Sequence, residues 1–102
     1  MHMSIRQYPV AWGKVDETIR RTHDGFLPIV SGLPGFIAYQ VMNPGDTTII
    51  SVSLFETEDG GNECSRRATE WVREYLGDLV MGPPRIMAGP VVVDSSGCCP
   101  AD

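Results

Sequence analysis

An α+β fold with an antiparallel sheet is what this chain of 102 residues predicts. Three observations carry that expectation. Two amphipathic stretches repeat at helical spacing, four short runs are rich in β-branched and aromatic residues, and the two kinds follow the order strand, helix, strand, strand, helix, strand. A domain of this length buries roughly two-thirds of the surface its unfolded chain exposes, so one modest core is expected.

Strand one is expected over residues 4 to 11, "SIRQYPVA", with Pro9 at an edge or strand end because it lacks a ladder donor. From Val15 the apolar residues Val15, Ile19, Phe26, Ile29 and Val30 fall on one helical stripe, which Pro28 should bend and "GLPG" should end. Strands two and three follow in "GFIAYQVMNPGDTTIISVSLFE", turning at "NPGD", where Pro44 presets φ and Gly45 accepts positive φ. If Met42 lies opposite Thr47, then Ile37, Tyr39 and Val41 share a face with Thr48, Ile50, Val52 and Leu54. That face has the larger apolar area and is assigned to the helices. The other holds Phe36, Ala38, Gln40 and Met42 with Thr47, Ile49, Ser51, Ser53 and Phe55.

The second helix is expected over residues 58 to 79, with Thr57 as N-cap and Cys64, Ala68, Trp71, Val72, Tyr75 and Leu79 as its buried stripe. "MGPPR" breaks it, residues 86 to 93 form strand four, and residues 94 to 102 form a polar tail. The element order is the split βαβ, ferredoxin-like pattern, in one domain over residues 4 to 93. Two helices cover one sheet face. The apolar content of the other, Phe36, Met42, Ile49 and Phe55, predicts a homodimer in which two sheets pack face to face and close a barrel.

Composition narrows the function classes. Hydrophobic residues make up 42% and charged residues 21%, and no apolar run approaches the ~20 residues of a membrane span. A net charge of -5 offers no basic stripe for phosphates, so no nucleic-acid partner is expected. "MHMS" lacks a signal pattern, its His2-Met3 reads as a cloning remnant ahead of a native start at Met3, and a cytoplasmic location is expected. Three cysteines suit a reducing compartment, with Cys98 and Cys99 as free thiols of the tail. No metal site and no cofactor motif is expected: the chain has no Walker loop, nucleophile elbow or paired-carboxylate dyad.

"LPGFIAYQV" opening strand two, "ISVSLFE" running into helix two, Trp71 on that helix and "AGPVVV" in strand four together resemble the antibiotic biosynthesis monooxygenase-like (ABM) family of dimeric α/β barrels. The resemblance spans residues 4 to 93. It implies a cofactor-independent oxygenase acting on a small aromatic or polyketide-type molecule bound between helices and sheet. The same fold carries haem-degrading enzymes, isomerases and members without known activity, so a non-catalytic ligand-binding barrel and an isomerase or cyclase remain alternatives. The haem-degrading branch resembles this chain less, because helix two lacks a histidine and strand one offers Arg6, Gln7 and Tyr8 in place of an asparagine.

Such chemistry needs an apolar slot, a group that binds or deprotonates the substrate, and donors for the anion. His23 and Tyr75 are the candidate catalytic residues: histidine titrates near neutrality, and a buried tyrosine hydroxyl needs a partner. Trp71 and Tyr39 are candidate walls, Trp71 lying one turn from Tyr75. Arg85, before strand four, is a candidate for an anionic group at the pocket mouth. Asn62 points nearly opposite Trp71 around the helix axis, which removes the family's asparagine role from it. The expected reaction is deprotonation of a phenol or acidic C–H with His23 or Tyr75 assisting, then oxygen attack on the carbanion.

Overall fold

The computed structural model describes residues 1–95; Cys98 and Cys99, read above as tail thiols, lie outside the described residues. The elements are β1 (His2–Pro9), α1 (Val15–Arg21), a π turn (Thr22–Phe26), α2 (Leu27–Ser31), β2 (Phe36–Gly45), β3 (Thr48–Phe55), α3 (Glu58–Tyr75) and β4 (Arg85–Pro90). The strands form one sheet in the order β2-β3-β1-β4, with every neighbouring pair antiparallel. This is the expected α+β, ferredoxin-like architecture. Among the described residues no helix is long and apolar enough to cross a membrane.

β1 starts two residues earlier than expected. His2, set aside as a remnant, pairs with Phe55 and Pro90 and is buried. Gly61 of α3 makes room for it: a Cβ there would stand 2.7 Å from the imidazole Cδ2. In the first helical layer the buried residues are Val15, Thr18, Thr22, Phe26 and Val30, in place of the expected all-apolar stripe. The hydroxyls of Thr18 and Thr22 donate to the carbonyls of Lys14 and Thr18, each at 2.8 Å, so both can be buried without an orphaned polar atom. Pro28 has no N–H for the helical ladder, and the chain widens into the π turn just before it.

The β2–β3 hairpin corrects the expected register. β2 runs on to Gly45, and residues 46 and 47 make the turn. Asn43 Oδ1 accepts from the Gly45 N–H at 3.1 Å across a bulge that carries Pro44. Met42 then faces Ile50 instead of Thr47, a shift of three residues. An odd shift exchanges the faces of one strand against the other. Tyr39 and Val41 therefore share the helix-covered face with Ile49, Ser51, Ser53 and Phe55, while Ile50, Val52 and Leu54 lie on the open face. A second bulge between Phe36 and Ala38 turns Phe36 to the covered face, where its ring meets Phe55 edge-on at 5.9 Å, and leaves Ile37 exposed.

α3 begins as expected, with Thr57 Oγ1 accepting from the Gly60 N–H at 3.1 Å. It ends at Tyr75, four residues short of the expected end, and Leu76 and Leu79 enter the core from the following turn. Tyr75 is 52% exposed, contrary to its place in the expected buried stripe, because α3 stops there and its ring lies against Trp71 from the solvent side. β4 is shorter than expected, and Val92 and Val93 are exposed beyond it.

Candidate functional site

A small inner cavity and an outer groove lie between helices and sheet, and a second groove lies between the helices. The cavity, of about 20 Å³, is lined by Arg6 and Tyr8 of β1, Phe26, Tyr39, Cys64 and Trp71, among others. Its volume suffices for one or two water-sized groups. Thr22, Tyr39 and Val41 line both it and an adjoining outer groove of about 270 Å³ along the β2 edge, whose other walls are Ile19, His23 and Leu27. Trp71 separates it from a second groove of about 540 Å³ that holds Arg20, Arg21, Asp24, Gly25 and Tyr75.

The aromatic wall is continuous. Phe26 stands between Tyr39 and Trp71 with ring centroids 5.6 Å from each, and Tyr75 extends the row 5.5 Å beyond Trp71. Gly25, in the π turn, lets Trp71 lie close to the helical layer: a Cβ there would sit 2.7 Å from Trp71 Cζ2. The sequence-based site is thus brought together only in part. Trp71 and Tyr39 share the inner cavity, and His23 shares the outer groove with Tyr39. Tyr75 lies across Trp71 from both. Arg85 is on the open face of the sheet, in a depression with Ile5, Gln7 and Met87, away from this space altogether.

The residues that sequence reasoning missed are polar and buried. Arg6 is 6% exposed; its Nε–H donates to Tyr8 Oη at 2.7 Å and Nη2 donates to Thr69 Oγ1 of α3 at 3.0 Å. Among the described residues no carboxylate pairs with it. Ser51, Ser53 and Cys64 complete a polar patch beside it. Burial pushes the Tyr8 phenol up despite the neighbouring Arg6 charge, and it pushes Tyr39 far above the ordinary phenol value despite the Ser51 hydroxyl. Both tyrosines are therefore neutral O–H donors at physiological pH. The Cys64 thiol is raised by burial as well, more than Ser53 and Arg6 lower it, which keeps it protonated and unreactive.

His23 projects from the π turn and is largely exposed, with Nδ1 3.1 Å from Asp24 Oδ1. Among the described residues no cluster of His, Cys, Asp and Glu could hold a metal ion. The alternation of buried and exposed positions along β1 was the signal available for Arg6, since a strand that covers a core places residue 6 with His2, Ser4 and Tyr8.

No family profile matches the chain, and no curated protein matches it. Solved structures of ABM-like proteins do match its fold. A monooxygenase of Streptomyces coelicolor in complex with nanaomycin D is 20% identical, with a TM-score of 0.68 over 86% of this chain and 84% of that one. A cofactor-independent oxygenase of Streptomyces nogalater, SnoaB, is 8% identical, with a TM-score of 0.72 over 92% and 95%. A MhuD variant with manganese protoporphyrin IX bound is 18% identical, with a TM-score of 0.73 over 95% and 100%. At these identities the likeness is one of fold. The residues here do not match a porphyrin site in one respect: α3 carries no histidine.

Proposed function

We propose that the chain is a cofactor-independent monooxygenase-like enzyme that acts on a small aromatic or polyketide-type molecule bound between helices and sheet. The observation that carries this reading is the apolar outer groove, with His23 on its wall, which shares Thr22, Tyr39 and Val41 with an inner cavity whose lining includes Arg6, Tyr8, Ser51 and Ser53. A planar molecule lies in the groove, its reactive edge toward Tyr39. His23, oriented by Asp24, accepts the proton from a phenol or an acidic C–H, and dissolved oxygen attacks the carbanion that results. Tyr39, held neutral, donates to the substrate oxygen. Tyr75 has no part in this scheme, and neither has Arg85.

The enzyme works as a cytoplasmic homodimer in this reading. Copies pair through the open sheet face, where Ile5 stands between Val52 and Met87, and Met42 and Met87 are more than half exposed. The small size of the inner cavity favours one alternative, a barrel that binds its ligand without turnover. Oxygen uptake by the metal-free protein with anthrone-type phenols separates the two. Uptake above the uncatalysed rate that falls at least tenfold in His23→Ala supports the oxygenase. Ligand binding without uptake supports the binding barrel, and turnover without oxygen points to an isomerase.

A further inference from the structure

Guanidinium groups are not left buried without a counter-charge at no cost. Arginine cannot shed its proton inside a protein, and taking its charge out of water costs several kcal/mol unless an anion or a full set of acceptors replaces the water. Among the described residues Arg6 has no anion, and only two neutral acceptors. Of the five N–H donors on its fork, one goes to a phenol oxygen and one to a threonine hydroxyl, both neutral, and none to a carboxylate among the described residues. The protein is acidic, with a net charge of -5, and the arginine–carboxylate pairs among the described residues all involve other arginines: Glu17 with Arg20 and Arg21, Asp24 with Arg20, Asp78 with Arg21, Glu63 and Glu70 with Arg66. Arg6 is the arginine at the cavity wall.

The surroundings of Arg6 suit an oxyanion attached to a flat ring. Tyr8 Oη accepts from Arg6, which leaves the Tyr8 O–H itself to donate, and the Tyr39 hydroxyl lines the same cavity. Phe26 and Trp71 supply ring faces on the other side. The cavity has room for an oxygen-sized group, and the outer groove beyond Thr22, Tyr39 and Val41 has room for rings.

We propose that Arg6 and Tyr8 form the anion-binding end of the substrate site, receiving the charged oxygen of an aromatic oxyanion whose ring system lies toward the outer groove. This rests on the aromatic-ligand reading above and adds the charge of the molecule bound. A carboxylate and a phenolate share the needed chemistry: a delocalised negative oxygen that accepts from the guanidinium fork and from one phenol O–H. The donors are fixed before the ligand arrives, as in an oxyanion hole, and would hold the anion that deprotonation by His23 produces.

The test is binding, and needs no turnover. In a Trp12→Phe background, where Trp71 is the remaining tryptophan, fluorescence is titrated with 2-naphthoate and its neutral partner 2-naphthamide, and with 4-nitrophenolate and 4-nitroanisole. At least a tenfold preference for the anion in either pair is expected, and which pair shows it tells carboxylate from phenolate. Arg6→Met should bring anion and neutral partner within twofold while the melting temperature stays level or rises, Arg6→Lys should keep part of the preference, and Tyr8→Phe should weaken the anion several-fold. Anion and neutral partner binding alike in the wild type, or no binding by any of the four, overturns the proposal. Oxygen uptake with phenols, measured on the same preparation, reports on the oxygenase reading separately.

Discussion

The two faces of the sheet distribute their polar residues differently. The helix-covered face carries Ser4, Arg6, Ser51 and Ser53 at its centre, all buried, with Phe55 and Ile49 toward the ends. The open face carries Met3, Ile5, Ala38, Ile50, Val52, Leu54 and Met87. The hairpin register puts Phe55 and Tyr39 on the helix side, where they meet Phe26, Val30, Trp71 and Leu76, and puts Ile49 beside Tyr8, Val10 and Val15 in a second cluster. A polar patch under the helices and an uncovered apolar face suit the two tasks proposed for them, the first a ligand site and the second a contact with another copy of the chain.

The largest effect expected on this contrast is from Phe55→Ala. Phe55 is fully buried, and its truncation should cost about 3–5 kcal/mol in urea unfolding, whereas Leu54→Ala beside it on the open face should cost less than half of that in dilute monomer. Equal losses would mean that the faces do not differ in burial. Gly25→Ala should come next: its Cβ, 2.7 Å from Trp71 Cζ2, forces the indole or the π turn to move, at a cost of about 1–3 kcal/mol and with a shift in Trp71 emission.

Val52→Asp tests the open face. A paired form of about 22 kDa, twice the 11.2 kDa chain, should give way to the monomer in light scattering, with association at least tenfold weaker (~1.4 kcal/mol) and the far-ultraviolet spectrum unchanged. A wild type that is monomeric at all concentrations removes the second-copy reading. The smallest effect is electrostatic. Tyr8 and Tyr39 are raised above the ordinary 10.0 by burial, so their contribution is complete below that value and is lost as pH climbs through the higher folded values. Stability should therefore decline from about pH 10 upward, more gently in Tyr8→Phe, as followed by circular dichroism.

Much of the architecture was open to reading in one dimension, because periodicity and breakers act locally. The order of elements, the Thr57 cap, the break after α3 and the unpartnered second sheet face all follow from spacing, proline and glycine within a few residues. The burial of Trp71 follows from the same local pattern, since large aromatics at helical spacing seek a dry contact, and with Tyr39 it lines the inner cavity. Only tertiary structure decided the rest. The hairpin register depended on a bulge at Asn43-Pro44, and a one-step or three-step slip costs nothing in sequence pattern yet exchanges the faces. The exposure of Tyr75 depended on where α3 stopped over the sheet, and the separation of Arg85 from the slot depended on which way β4 faced its neighbour. Arg6 is the sharpest case. In the sequence it is one charged residue in a strand; its burial with no carboxylate partner among the described residues arises because β3 and β4 flank it and α3 lies above, and charge pairing is a property of three-dimensional neighbours.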